Sequence, residues 1–450
     1  MLFKYSFNIR SWLICLFVLL GTQTFAWCSK PQNPMAAKLP QHLTGEVFGN
    51  PAVSSTVRGA VICALETRLE GLKGVTVTYQ LPQISSLGPG SSETIKAIVT
   101  AQAPGSAEAY GPVWIKITNS GYQFPVENQL WFCNQPERLI EPIALYANRL
   151  GSGTSIRLLY HQVCYNTMPL FMSVQVVNDS NIDARFLLIS GDADPDPNPA
   201  LAGILASKEY LIARYANCGD VIDLPAHTKI PIALRRMVMG QVMSGIMSIE
   251  LLKGGPPSLL VRADCRNFVG EDNRSQIALM SSKPAHFLLP VPTDDTEVNT
   301  LSSNSLAYDD PAVNTTLTVN VGDPTESTLI GVEGIERVGG GRKLNGNYGV
   351  LYHIQVALSN KISVSSRAII TFKATSAYTG GAFMFEGRPV LIRPIKLNET
   401  RVIGSVNLRP GEYRLVTLYA IPSGGCTYPA EIDITTSLSS TAISKIKMKD

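Results

Sequence analysis

The chain has 450 residues, 45% hydrophobic and 16% charged, with 36 Gly and 29 Pro. That length exceeds one core and fits two or three domains, and the composition excludes a disordered tail. Gly and Pro scattered without period exclude collagen and a helical bundle, and a formal net charge of +3 predicts no attraction to nucleic acid or anionic lipid.

Residues 1–26 read as a signal peptide: Lys4 and Arg10 precede an apolar run, Ser11 to Gly21, and Thr24-Phe-Ala26 offers a cleavage point. The run is too short to span a bilayer stably, and no later run reaches that length, so the mature chain is expected to be exported with no transmembrane segment. Cleavage leaves seven cysteines: Cys28, Cys63, Cys133, Cys164, Cys218, Cys265 and Cys426. Export permits disulfides, and an odd count leaves at least one free thiol. The pairing expected first is Cys218 with Cys265, against the alternative that several are small buried hydrophobes. No Cys-x-x-Cys or Cys/His cluster suggests zinc.

Residues 27–150 are expected to be a small β-rich region. Gly59 to Gly74 carries Val61, Leu65, Leu69 and Leu72 at helical spacing, although a strand from Ala60 is equally natural. Val75 to Tyr79, Thr94 to Thr100, Val113 to Thr118 and Gln129 to Cys133 read as short strands between turns.

A first sandwich is expected over residues 151–288. Arg157 to Ser190 reads as two strands joined by the polar turn Asn178 to Asn181, with Met172, Val174 and Val176 on one face. The register returns 180 residues later at Tyr352, Ile354 and Val356. Asp192-Ala-Asp-Pro-Asp-Pro-Asn-Pro199 then leads into the one clear helix, Ala200 to Ala216, with Asn198 and Pro199 apt for its start and Asn217-Cys-Gly219 for its stop. Beyond it Val221 to Leu224, Ile230 to Leu234, Met243 to Leu252 and Leu259 to Ala263 read as strands, the last two as a hairpin through Lys253-Gly-Gly-Pro256.

Residues 289–315 are polar and expected as a linker, and residues 316–450 as a second sandwich. Strands there fall at Thr316 to Val321, Leu329 to Val332, around Tyr352 and Ile369, and at Val390 to Ile395, Val402 to Val406, Leu415 to Tyr419 and Glu431 to Thr435. The turn Arg409 to Tyr413 echoes Leu224-Pro-Ala226, and the closing strand is expected to match Leu259 to Ala263. The predicted fold class is all-β: tandem immunoglobulin-like antiparallel β-sandwiches, a small β-rich N-terminal region and one inserted helix.

Leu344-Asn-Gly-Asn-Tyr-Gly-Val-Leu-Tyr352, with its alternating strand and polar turn, resembles a segment of an uncharacterised family of exported bacterial β-proteins best represented in cyanobacteria. Arg157 to Tyr160 and the strand after it are similar to that family's first half, so the resemblance covers residues 150–425. It implies an exported β-protein and transfers no catalytic residue.

Asp192, Asp194 and Asp196 alternate as oxygen donors do in calcium loops, making them the candidate metal ligands. The prolines between them, and the lack of a twelfth-position glutamate, exclude an EF-hand. The competing reading is a proline-stiffened loop whose charge suits the following helix N-terminus. Tyr348, placed in a turn by Gly346 and Asn347, is the candidate surface aromatic for stacking, with Asn347 and Arg342 beside it as candidate binding residues. Trp114 and Trp131 sit in alternating strands and are expected in the core. His42, His161, His227, His286 and His353 show no metal-ligand spacing, and each is expected to be a hydrogen-bonded structural histidine. No Gly-x-Ser-x-Gly, His-Glu-x-x-His, phosphate loop or dinucleotide fingerprint occurs. The expectation is a non-catalytic binding or structural module, periplasmic, cell-surface or secreted, with an envelope protein or a glycan as partner and no cofactor beyond calcium. The alternative is a carbohydrate-binding or carbohydrate-hydrolysing protein, the latter needing two facing carboxylates.

Overall fold

The computed structural model describes residues 34–68, 70–71, 75–265, 291–293 and 306–438. The signal peptide, Cys28 and most of the expected linker lie outside the described residues, as does the side chain of Cys63. The chain is all-β with two α-helices among the described residues.

The first strands are β1 (Ala37–Lys38), β2 (His42–Phe48), β3 (Glu70–Gly71), β4 (Thr76–Gln80), β5 (Ser92–Gln102) and β6 (Ala109–Asn119), with α1 (Ser54–Arg68) after β2. Helical spacing wins in α1 because Val57, Val61, Ala64 and Leu65 bury together against Ile115 and Ile117 of β6. Trp131 is buried as expected, but Trp114 is 39% exposed on the open face of β6 under Lys96. That strand alternates, and Trp114 falls on its outer parity.

Next come β7 (Gln129–Cys133), β8 (Arg138–Leu139), β9 (Ile143–Arg149), β10 (Ser155–Cys164), β11 (Leu170–Asn178), β12 (Ala184–Asp192), α2 (Pro199–Tyr215), β13 (Gly219–Leu224), β14 (Thr228–Met237), β15 (Val242–Gly254) and β16 (Ser258–Asp264). Arg157 to Ser190 is therefore three strands, not two. β10 and β12 share one sheet while β11 lies in the facing one. The expected hairpin of β15 and β16 is also a crossing between those sheets. Gly254 packs so tightly on the Asp183 carbonyl, at a φ of +98°, that a Cβ would lie 1.8 Å from that oxygen, and the chain turns over the edge there.

The last strands are β17 (Val291–Pro292), β18 (Leu306–Asp309), β19 (Ala312–Asn320), β20 (Glu326–Ile330), β21 (Leu351–Ser359), β22 (Ser366–Ala374), β23 (Tyr378–Phe385), β24 (Arg388–Lys396), β25 (Thr400–Leu408), β26 (Tyr413–Ile421) and β27 (Ala430–Leu438). β23 has no counterpart in the sequence reading. Its Gly380 lets α2 approach: a Cβ there would meet Ile204 Cδ1 at 2.7 Å.

An 11-stranded sheet runs β18-β7-β10-β15-β12-β13-β2-β6-β5-β4, with β8 on β10. The sheet β17-β14-β11-β16-β9 covers one face of its middle, and the second sandwich pairs β19-β21-β26-β23-β24 with β20-β27-β22-β25. Most pairs are antiparallel, while β2–β6, β7–β10, β8–β10 and β19–β21 are parallel. The two polar turns are tied alike. Asn178 Nδ2 donates to the carbonyls of Ile182 (2.9 Å) and Leu224 (3.1 Å), and Asn360 Nδ2 to those of Val364 (2.9 Å) and Leu408 (3.2 Å). The repeat spacing is thus 182 at this asparagine, which keeps the parity read from the pattern. β27 pairs with β22 as β15 pairs with β12, so the closing strand matches β15 and not Leu259 to Ala263.

The middle of the large sheet is buried on both faces. Leu158, Phe186, Leu188, Met247 and Ile249 enter the first sandwich core. Leu159, Leu187, Ile189 and Ile246 face α2 and the second sandwich. This explains why β10 and most of β15 are buried at nearly every position and not at alternate ones. Asn198 caps α2 by accepting from the Leu201 amide at 3.2 Å, with proline following. The helix buries Ala200, Ala202, Gly203, Ala206 and Ser207 completely, while Leu201, Leu205 and Ile212 are half-buried. Ile204, Tyr210 and Leu211 are buried as well, and the small residues let the helix fit between two sheets.

Candidate functional site

A cleft of about 450 Å³ opens where the α2-side face of the large sheet meets the second sandwich. β10 supplies Leu159 and His161, and the loop after β7 supplies Asn134 and Glu137. Arg342, Tyr348 and the segment Gly424–Cys426 complete it from the second sandwich.

His161 shares the parity of Arg157 and Leu159, which points it away from the first sandwich core. It is 3% exposed, and neither ring nitrogen has a hydrogen-bond partner among the described residues. Burial pushes its pKa down to about 4, so the imidazole is neutral at physiological pH, with one nitrogen a donor and the other an acceptor. The expectation of a hydrogen-bonded structural histidine is therefore corrected. Asn134 Oδ1 is a second buried polar atom in this cleft without a partner among the described residues. Buried polar groups are nearly always satisfied, by protein or by ordered water, so two in one cleft single it out as the candidate site.

The covering loop is set by close packing. Gly424 lies on the imidazole so tightly that a Cβ would stand 2.7 Å from Nδ1. The Gly424 carbonyl in turn lies against Gly203, whose own Cβ would stand 2.0 Å from that oxygen. Ser423 Oγ donates to Ser207 Oγ at 2.8 Å. Helix α2 thus holds the loop over His161.

Of the candidate binding residues, Arg342 and Tyr348 line the cleft and Asn347 does not. Tyr348 donates its hydroxyl to the Cys426 carbonyl at 2.9 Å and packs edge-on against Tyr428. Burial raises its pKa, with Cys426 and Glu137 adding to the effect, so it is a fixed neutral wall. Arg342 is exposed and has no ion pair among the described residues, whereas its neighbour Lys343 is paired with Glu336 at 2.5 Å. Asn347 is fully buried at a φ of +48° and donates to the Tyr352 hydroxyl at 2.7 Å. Its role is to close the turn that presents Tyr348.

The acidic loop does not form a cation cage. Asp192 accepts from the Tyr160 hydroxyl at 3.1 Å and pairs with Arg235 at 2.8 Å, and Asp194 reaches the same guanidinium at 3.5 Å. Asp196 accepts from the Asn198 amide at 2.7 Å, which shapes the helix start. No cluster of three or more metal-ligating side chains occurs among the described residues. The alternation is spent on one arginine and one helix cap. Cys218 and Cys265 are both free, as are Cys133, Cys164 and Cys426. Cys218 lies against the carbonyls of Pro51 and Ala216, and burial pushes the Cys426 thiol up to about 12, so Cys426 in the cleft is not a nucleophile.

Beside the cleft lies a buried charge network that sequence reasoning also missed. Glu127 accepts from Arg157 Nη2 (2.7 Å), the Tyr210 hydroxyl (2.7 Å), Ser248 Oγ (2.5 Å) and Arg214 Nε (3.1 Å). Arg157 also donates to the carbonyls of Pro311 (2.7 Å) and Gly349 (3.0 Å). The pair ties the large sheet and α2 to the start of the second sandwich. The signals available were an arginine and a histidine on the same face of β10 as Leu159.

No protein-family model matches the chain, and no curated protein does. Solved structures overlap it only at low TM-scores. Tripeptidyl peptidase 2 gives 0.16 at 6% identity, with 80% of this chain aligned to 29% of that one. Lac15 from a marine microbial metagenome gives 0.13 at 8% identity, over 85% of both chains. The M60 catalytic domain with two CBM51 domains of Clostridium perfringens ZmpB gives 0.14 at 6% identity, with 82% of this chain on 47% of that one. The chain thus spans under a third of tripeptidyl peptidase 2, and function must be argued from the cleft.

Proposed function

We propose that the chain is an exported, non-catalytic binding module of the envelope or secreted space, with the cleft between its sandwiches as the ligand seat. The observation that carries this is the pair of unpartnered buried groups, His161 and Asn134, inside a cleft of about 450 Å³. Small-ligand sites fall in a range of roughly 300–1,000 Å³, and this cleft is lined largely by polar side chains. The resemblance of Leu344 to Tyr352 to exported β-proteins supports export. Among the described lining residues Glu137 is the one carboxylate, and glycoside hydrolysis by a facing acid pair needs two. Binding is therefore favoured over hydrolysis, and an envelope glycan is the partner class closest to this chemistry.

Hydrogen–deuterium exchange of the full chain, with and without each member of a sugar and organic-acid panel, tests the assignment. Protection is expected in 159–163, 342–348 and 423–426. Protection confined to loops elsewhere would reject the cleft as the seat.

A further inference from the structure

Resting on the reading of the cleft as a ligand seat, we infer that its ligand is a hydroxyl-rich ring carrying one carboxylate, an acidic sugar of the hexuronate class. The floor selects the hydroxyls. A neutral His161 offers one donor and one acceptor, and Asn134 Oδ1 adds an acceptor. A hydroxyl both donates and accepts, so adjacent ring hydroxyls satisfy this mixture. An apolar ligand would leave all three atoms buried and unpaired.

The rim selects the charge. Arg342 lines the cleft without an ion pair among the described residues, while Lys343 is already neutralised by Glu336. Glu137 on the same rim disfavours a polyanion. One carboxylate on Arg342, with its planar fork of donors, fits that balance. The apolar parts of Phe132, Leu159 and Tyr348 cover the ring's hydrocarbon edge.

Calorimetric titration of the full chain with galacturonate, galactose, propionate and a tetragalacturonate tests the proposal. Galacturonate is expected to bind about tenfold or more tighter than galactose, the effect of one charge-assisted contact. Arg342→Gln should reduce galacturonate to the galactose level and leave galactose unchanged. His161→Leu and Asn134→Leu should each weaken both sugars about tenfold or more. Tetragalacturonate is expected to bind more weakly than galacturonate because Glu137 stands on the rim, and its binding more tightly would overturn the choice of a single carboxylate. Propionate binding as tightly as galacturonate would overturn the hydroxyl requirement, and galactose binding as tightly would overturn the carboxylate. If none of the four binds while exchange maps another compound to the cleft, this ligand class is wrong and the seat stands. If nothing protects the cleft, both fail.

Discussion

Replacing Glu127 with glutamine should strand a buried charge. Arg157 is 0% exposed and Glu127 3%, and the glutamate balances Arg157 and Arg214 together. Burial alone would raise the pKa of Glu127, but the two guanidinium groups, with Ser248 and Tyr210, override it and hold the group at about 2 against an ordinary 4.5. A displacement of that size corresponds to about 3 kcal/mol of linked stability. Because the folded-state pKa is depressed, this stability is fully present above pH 4.5 and is lost as pH falls toward 2. Glu127→Gln leaves Arg157 without its counter-charge, so at pH 7 it is expected to cost about 3–5 kcal/mol. Glu127→Gln with Arg157→Met removes both charges and should cost much less than the two single changes added together. The assay is urea denaturation followed by Trp131 fluorescence, at pH 7 and pH 3. If Glu127→Gln moves stability at pH 7 by less than about 1 kcal/mol, the range of an exposed pair, the pair does not hold these layers together.

Two further outcomes follow from the cleft. His161 has its pKa pushed down to about 4 from 6.5 by burial, so below pH 6.5 the unfolded chain takes up a proton that the folded chain refuses. Stability from this group is therefore full above pH 6.5 and falls by about 3 kcal/mol as pH drops to 4. His161→Leu should flatten that window in a denaturation series while leaving the lower window of Glu127 in place. Gly203→Ala would ordinarily gain up to about 1 kcal/mol of helix propensity. Here the added Cβ would stand 2.0 Å from the Gly424 carbonyl oxygen, and overpacking of about 1–3 kcal/mol should win. A lowered thermal midpoint, with faster exchange in 423–426, is the expected readout; a raised midpoint would show that the loop yields freely.

Strand and helix identities were largely legible because burial imposes a period. Two-residue alternation in β5, β6, β21 and β22, and the Asn198-Pro199 start with the Asn217-Cys-Gly219 stop around α2, are local signals. The polar turns at Asn178 and Asn360 were legible too, since an asparagine that must satisfy carbonyls from two chain segments is confined to a turn. Where the reading failed, the cause was contact between distant segments. β23 went unread because nothing local reveals that Ile204 of α2 packs against Gly380. Asp192, Asp194 and Asp196 looked like ligands because Arg235, whose guanidinium takes the first two, lies about 40 residues further on. The disulfide expectation likewise needed a distance that spacing does not contain.

By itself, then, the sequence determined an all-β chain with one capped helix between two similarly turned strand sets, because periodicity, caps and turns act over a few residues. Tertiary structure decided which β10 side chains face α2, so that Arg157 and His161, four positions apart on one strand face, acquired opposite fates. Arg157 met Glu127 from a loop 30 residues earlier and became fully paired. His161 lies under the Gly424 backbone, and its buried nitrogens have no hydrogen-bond partner among the described residues. Charge satisfaction depends on what folding brings within about 3 Å, and strand parity sets only the direction in which a side chain looks for it.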